Sequence, residues 1–261
     1  MTIRPNVTTM PCMTDIKPLF FRASTFASRA AFATLAIFAA SSVAAVLPAG
    51  TTTLVYDFSR SGMALAEMTD TLHVRGREYQ LSSVAQGVGL VALLARGQTL
   101  KRESRGAITA TGLQPKVFSE ERGNSYRLNA EFDWQGRQIT MIDAKGERSQ
   151  EALSDGAQDR MSMPYHVAFV NGMPPAELSI QVADGRRLTG YSFRLVGTET
   201  VTTGMGDVKA LHYTKVLAGS ETAFDLWLGV DQQLLPVRVS YADKDGARYE
   251  QSLRSFSAPR L

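Results

Sequence analysis

The chain has 261 residues and a formal net charge of +3, with 28 basic and 25 acidic residues. Residues 1–45 hold four of the basic residues and one acid, so they carry the whole net charge and the remainder is neutral. A neutral remainder gives no electrostatic reason to expect nucleic acid as a partner. The one cysteine, Cys12, lies in the same segment. The composition therefore excludes disulfides, thiol catalysis and cysteine-based metal sites from the rest of the chain.

Residues 1–45 follow the order that is typical of an export signal. Basic residues come first, an apolar alanine-rich run covers 30–40, and small side chains fill 41–45. We predict a signal peptide over 1–45, cleaved after Ala44 or Ala45, with Met13 as an alternative start. The other interpretation is an uncleaved inner-membrane anchor at 30–47, close to the ~18 apolar residues that indicate a span. The segment has no Arg-Arg pair, so the general secretory route is expected in either case.

From residue 53 to 256 the dominant pattern is the alternation of apolar and polar side chains. Between Tyr126 and Trp134 every second residue is apolar, which predicts a strand with one packed face. Similar runs are separated by turn-forming pairs such as Asp184-Gly185 and Asp245-Gly246. We predict a mainly β fold with a single antiparallel, strongly curved sheet or an open β-barrel. One domain over 46–261 and one or two short helices complete this prediction.

Two segments depart from the alternation. Residues 89–95 are compatible with a short apolar helix or a loop inserted into the core. Residues 162–170 predict a helix, because Ser162 can cap it, Pro164 suits its first turn, and Asn171-Gly172 can end it. The apolar side chains of this helix are expected to cover one opening or face of the sheet.

Motifs that carry chemistry are sparse, and the sequence assigns no catalytic residue, no metal ligand and no cofactor. His73, His166 and His212 are far apart and show no paired spacing for a metal ion. Residues 87–92 fit the spacing of a dinucleotide fingerprint. That fingerprint needs a parallel βαβ unit and an acid about 20 residues later, whereas strand-like residues 99–104 follow here. We interpret residues 87–92 as a glycine-containing loop.

Four segments carry motifs of a known family: 112–115 with Phe118, 157–165, 203–206 with 210–211, and 224–239. Together they resemble the family of the domain of unknown function 3108, whose members are exported proteins of Gram-negative bacteria. The resemblance covers about residues 54–256, and Pro164 departs from the usual helix start of the family. It implies a β-rich periplasmic envelope protein with no established activity. The segment 224–239 also resembles the periplasmic lipoprotein carriers, in which such strands build an open half-barrel.

Three functions are compatible with these features. The first is a non-enzymatic periplasmic protein that binds an apolar or amphipathic envelope molecule, such as a lipid, in its curved sheet. The second is a structural or interaction module that holds an envelope protein partner or a glycan. The third is a hydrolase of envelope polymers with an acid pair hidden by sequence distance.

Candidate ligand-binding residues are Asp159, Trp227 and Arg238. Asp159 precedes the predicted helix, where an acid also favours the helix dipole. Alternation places Trp227 with Asp225 on one face of its strand, opposite Phe224, Leu226 and Leu228. Arg238 lies between two valines on the next strand.

Overall fold

The fold is described from a computed structural model, which covers residues 47–94, 98–123, 126–219 and 221–259. The predicted export segment lies outside these residues. Within them, no helix has the length and apolar character needed to cross a membrane. The helices are α1 (Gly89–Leu94) and a 3₁₀ helix (Met163–Phe169). The strands are β1 (Gly50–Arg60), β2 (Met63–Arg75), β3 (Glu78–Gly87), β4 (Thr99–Thr109), β5 (Gly112–Arg122), β6 (Tyr126–Asp133), β7 (Gln138–Ile142), β8 (Arg148–Ala152), β9 (Gln158–Asp159), β10 (Glu177–Ala183), β11 (Leu188–Thr203), β12 (Gly206–Lys215), β13 (Phe224–Gly229), β14 (Pro236–Ala242) and β15 (Arg248–Ser257).

All the strands of the described residues belong to one sheet of two meanders. The strand order is β8-β7-β6-β5-β4-β3-β2-β1-β15-β14-β13-β12-β11-β10-β9. The seam between the meanders is the antiparallel pair of β1 and β15, which joins the two ends of the domain in mid-sheet. All pairs are antiparallel except that of β9 with β10. The predicted fold class, a single strongly curved antiparallel sheet with short helices, is confirmed.

The connectivity forces the sheet to curl. β8 and β9 form its opposite edges, yet only residues 153–157 separate them along the chain. A flat sheet of fifteen strands, spaced about 4.8 Å apart, would hold its edges roughly 65–70 Å apart. Six extended residue steps reach only about 20 Å. The edges are therefore brought together, and side chains link them: the Ser154 backbone N–H and hydroxyl donate to Gln181 Oε1 at 2.9 and 2.7 Å.

The alternation that indicated strands also sets their faces. Along β6, Leu128, Ala130 and Phe132 are buried, while Arg127 and Glu131 are exposed. The predicted turns at Asp184-Gly185 and Asp245-Gly246 lie between consecutive strands, as expected. Gly185 has φ +85°, and a Cβ there would lie 2.7 Å from Leu128 Cβ, so this turn packs closely on β6.

Both faces of β13 are buried. Leu226 and Leu228 belong to a smaller apolar cluster with Met163 and Phe193. Trp227 belongs to the main apolar cluster. The prediction that Trp227 and its two leucine neighbours lie on opposite faces of their strand is therefore confirmed.

The helical segments are partly as predicted. The apolar residues of the 3₁₀ helix are buried, and the helix packs against β5 and β9. The predicted capping by the Ser162 side chain is wrong, since this side chain caps no helical N–H. Asp159 Oδ1 instead accepts from the backbone N–H groups of Met161 and Ser162, each at 2.8 Å. The turn into the helix is thus organised by an aspartate three residues earlier, a position that Asx turns favour.

Candidate binding cavity

A cavity of about 340 Å³ lies between the 3₁₀ helix and the face of the sheet that the helix covers, here called the inner face. This size lies within the range of about 300–1,000 Å³ that small-molecule sites occupy. Its lining comes from four parts of the fold: β4, the start of the helix, the β10–β11 hairpin and strands β12 to β15. The lining residues are Arg102, Arg160, Met163, Pro164, Val182, Asp184, Arg187, Thr189, Tyr191, Phe193, Lys215, Thr222, Ala223, Phe224, Val239, Tyr241, Ala242 and Gln251.

One side of the cavity is apolar and aromatic. Phe193 and Phe224 meet edge to face with ring centroids 5.7 Å apart, and Phe224 stacks on Tyr241 at 6.3 Å. Val182 and Val239 are buried beside them. Alternation directs these side chains inward from four different strands, which builds a continuous apolar wall.

The other side of the cavity is cationic. Arg102, Arg160, Arg187 and Lys215 line it, together with one acid, Asp184. The Lys215 ammonium lies 4.8 Å from the centroid of the Tyr191 ring, and its side chain is only 7% exposed. The Arg102 side chain is 22% exposed. The cavity therefore combines an apolar wall with fixed positive charge.

Glu120 of β5 anchors the arginines. Its carboxylate has no exposed surface and accepts from Arg102 Nε at 2.7 Å, Arg160 Nη1 at 3.2 Å and Arg122 Nη2 at 2.7 Å. Burial acts to raise the pKa of Glu120, but the guanidinium of Arg102, with Arg160 and Arg122, outweighs it and holds the pKa below its ordinary value. One carboxylate thus positions three guanidinium groups, two of which line the cavity.

Asp159 is fully buried behind Arg160. In addition to the two backbone donors, its Oδ2 accepts from the Ser104 hydroxyl at 2.5 Å, and Tyr79 in turn donates to Ser104 at 2.9 Å. Burial raises the pKa of Asp159 to about 6, against the hydrogen bonds that favour its charged form. The structure gives Asp159 a clear part in fixing the turn, while its part in ligand binding stays a prediction.

A second set of buried hydrogen bonds fixes the 3₁₀ helix to the inner face of the sheet. The Tyr165 hydroxyl donates to Asp70 Oδ2 at 2.6 Å, and the Tyr56 hydroxyl donates to the Pro236 carbonyl oxygen at 2.8 Å. The two hydroxyl oxygens lie 3.4 Å apart. Burial raises the pKa of Asp70. These contacts join the helix to β1, β2 and β14, so the roof of the cavity is held by specific polar contacts.

Trp227 and Arg238 lie together on the opposite, outer face. They are paired residues of β13 and β14, and the Arg238 guanidinium carbon lies 5.3 Å from the Trp227 ring centroid. The indole also stacks on His212 at 4.5 Å and donates to Glu199 Oε1 at 2.5 Å. Arg238 pairs with Glu250 at 2.5 Å. Two of the three predicted site residues are therefore neighbours, but the sheet separates them from the cavity, and a ligand-binding role for them stays a prediction.

His166 of the 3₁₀ helix is a buried group with a pH-dependent consequence. Burial lowers its pKa to about 4, and its ring is hydrogen-bonded to the Leu113 backbone. Its Nδ1 has no partner within the described residues. The unfolded chain has an ordinary histidine pKa near 6.5, so it takes up a proton first as the pH falls. The stability contributed by neutral His166 is therefore present above pH about 6.5 and is lost as the pH falls toward about 4.

The variant His166→Gln, which can keep a hydrogen bond to Leu113, is expected to remove this dependence. The free energy of unfolding of the variant minus that of the wild type should rise by on the order of 3 kcal/mol as the pH falls from 7 to 4. Urea unfolding across this range measures the difference. The raised pKa of Asp159 has the opposite sign, because its stabilisation is lost as the pH rises from about 4 to about 6. Because Asp159 is present in both chains, its contribution cancels when the unfolding free energies of the variant and the wild type are subtracted. A difference that does not change with pH would contradict the buried neutral state of His166.

A second concavity is a groove of about 780 Å³ that runs along β1 to β5. Arg75, Glu78, Arg105 and Lys116 are among its lining residues. Over residues 47–94, 98–123, 126–219 and 221–259, no group of three or more histidine, cysteine or acidic side chains is arranged to hold a metal ion.

Sequence reasoning missed the cavity residues for a specific reason. Lys101-Arg102 and Arg186-Arg187 look like isolated charged pairs in the sequence, yet one member of each pair lines the cavity. Alternation is the signal that could have found them, since it turns Arg102 to the same face as Ser104. The sequence does not reveal that Glu120 and Arg160 meet Arg102, because they come from distant segments.

The fold and cavity define a curled, open antiparallel-sheet protein that encloses a cationic and apolar cavity. The chain belongs to the DUF3108 family, a family of proteins of unknown function whose sequence profile matches residues 51–253. The resemblance inferred from the sequence motifs is thereby confirmed.

Solved structures with a related outline are distant. One is a candidate lipoprotein from Parabacteroides distasonis ATCC 8503, with a TM-score of 0.37, 11% identity, and coverage of 81% of this chain and 97% of that chain. Another is a candidate exported protein with a YmcC-like fold from Bacteroides fragilis NCTC 9343, with a TM-score of 0.32, 10% identity and the same coverages, 81% and 97%. No curated protein matches this chain.

Proposed function

We propose that this protein binds an amphipathic molecule of the cell envelope in the inner cavity, and that it does so in the periplasm. The cavity itself carries the proposal. An apolar aromatic wall and several cationic side chains line the same cavity of about 340 Å³, which suits a ligand with one apolar and one polar end. A rigid roof supports it, since the helix is tied to the sheet through Tyr165, Asp70 and Tyr56.

The compartment in this proposal comes from the sequence. The basic, apolar and small-residue order of residues 1–45 favours export, and the neutral remainder lacks a thiol that would need an oxidising or reducing partner. Such a domain relies on its apolar core alone for stability. The interaction module and the envelope hydrolase stay predictions, because neither has a comparable site to support it.

Occlusion of the cavity tests the proposal. Ala223 lines the cavity mouth and is exposed, so Ala223→Trp adds a large side chain there without overfilling the core. Ala152 of the edge strand β8 is exposed and does not line the cavity, and Ala152→Trp is the matched control. We expect Ala223→Trp to lower the affinity for dodecylphosphocholine at least about tenfold, and Ala152→Trp to leave it unchanged.

Two measurements complete this test. Calorimetric titration of the delipidated full chain gives the affinities of the wild type and both variants. Native mass spectrometry of protein isolated from the envelope is expected to show a co-purified amphiphile, which Ala223→Trp should lose. Equal affinities for all three chains, or no binding of any dodecyl amphiphile, would contradict the proposal.

A further inference from the structure

The arginine cluster beside the cavity is not balanced by its own carboxylate. Glu120 is the common partner of Arg102, Arg122 and Arg160, so one negative charge serves three guanidinium groups. A carboxylate can accept about four hydrogen bonds, which explains how Glu120 holds all three. It cannot neutralise them, and this cluster alone carries an excess of two positive charges.

The remaining cations at the mouth are paired one to one. Lys215 Nζ lies 3.0 Å from Glu221, and Arg187 Nε lies 3.6 Å from Asp184. These pairs add no negative charge that could offset the arginine cluster. Two further acids, Asp70 and Asp159, lie behind the cavity. Within the described residues both accept hydrogen bonds from hydroxyl or backbone donors, and neither is hydrogen-bonded to an arginine of the cluster.

The arginines are held in a geometry that leaves donors free. The Glu120 carboxylate accepts from Nε of Arg102 and from one terminal nitrogen of Arg160. A guanidinium presents five N–H donors in a planar fork, so each arginine keeps several donors beyond this contact. Such donors form paired hydrogen bonds with the oxygens of phosphate and carboxylate groups. Arg102 and Arg160 both line the cavity that the apolar wall also lines.

We infer that the amphiphile bound in this cavity carries an anionic head group, a phosphate or a carboxylate, which Arg102 and Arg160 bind. The apolar part of the ligand then lies along Phe193, Phe224 and Val239. This inference rests on the proposed function of the cavity and adds the charge class of its ligand. It explains why a buried carboxylate gathers arginines at this place: Glu120 fixes their positions and leaves their remaining N–H donors for the ligand.

Head groups on one common chain separate this inference from the proposed function. The delipidated full chain is titrated with dodecyl phosphate, with dodecyl maltoside, whose sugar head group is uncharged, and with inorganic phosphate. Charge-assisted hydrogen bonds contribute about 1.5–3 kcal/mol, so dodecyl phosphate is expected to bind at least about tenfold more tightly than dodecyl maltoside. Inorganic phosphate lacks the apolar part and is expected to bind at least about tenfold more weakly than dodecyl phosphate.

Arg160→Gln supplies the residue-level test. The Arg160 side chain is 37% exposed, so the variant is expected to fold, and circular dichroism checks this. It should lower the affinity for dodecyl phosphate about tenfold and change that for dodecyl maltoside less than about twofold. Arg127→Gln is the matched control, because Arg127 is exposed on the outer face and pairs with Glu121.

Each of the other possible outcomes would contradict one specific claim about the ligand or the site. Equal binding of dodecyl phosphate and dodecyl maltoside would overturn the anionic head group and leave the proposed amphiphile function standing. Equal binding of inorganic phosphate and dodecyl phosphate would show an anion site without an apolar part and overturn the inference. Failure of both dodecyl compounds to bind would overturn the proposed function and the inference together. An equal loss in Arg160→Gln and Arg127→Gln would remove Arg160 from the site.

Discussion

Deletion of residues 248–261 is expected to abolish cooperative folding. This change removes β15, which pairs with β1 on one side and β14 on the other. Its loss leaves both neighbours without ladder partners and separates the two meanders. It also removes Leu253, a fully buried side chain of the main core. An internal strand of this kind has no substitute, because unpaired buried backbone groups are costly.

Circular dichroism and urea unfolding of the truncated chain check this expectation. Deletion of residues 258–261 alone is the control, since it ends the chain just after β15 and should keep the cooperative transition. Leu253→Asp tests the strand without shortening the chain, and we expect a loss of more than about 4 kcal/mol from a buried unpaired charge. A cooperative transition in the longer deletion would show that the seam is dispensable.

Glu120→Ala is expected to lower the free energy of unfolding by about 3 kcal/mol. Removal of one partner from a buried ionic cluster leaves the others uncompensated, and such changes cost about 3–5 kcal/mol. The lower end applies, because the three arginines retain 22%, 50% and 37% side-chain exposure and can be solvated. Their mutual repulsion should make the loss larger at low salt than at high salt.

Glu121→Ala is the matched control for Glu120→Ala. The adjacent residue points to the outer face and pairs with the exposed Arg127, where ion pairs contribute about 0–1 kcal/mol. Urea unfolding at two salt concentrations measures both variants. Equal and small losses in the two variants would contradict the anchoring role that the contacts give to Glu120.

Much of the fold could be predicted from local patterns. The alternation around Leu128 and Phe132 and the turn at Asp184-Gly185 are each set by a few neighbouring residues. The two faces of β13 could be predicted in the same way, because Trp227 and Leu226 must point apart in any strand. These features follow from backbone geometry, so they need no knowledge of distant contacts.

The candidate site could not be predicted in this way. Arg102, Glu120 and Arg160 meet only because the sheet curls and the segment after β8 returns across its inner face. The Ser162 hydroxyl accepts from the Asp159 N–H at 3.1 Å, while Asp159 is also held by Ser104 of the distant strand β4. Trp227 and Arg238 lie close together because they are paired on neighbouring strands, yet which face holds the cavity depends on where the 3₁₀ helix packs.

The central seam has a consequence for the order of events during synthesis. Among the described strands, β1 is the first to be synthesised and its partner β15 is the last. Until β15 is present, this edge of β1 has unpaired backbone groups beside a face that carries Leu54, Tyr56 and Phe58, a state that invites association with other chains. The native contacts across the seam link residues about 200 positions apart, so their formation is slow. The fold therefore cannot be completed before β15 has been made, and the interval before this pairing is when the chain most needs protection.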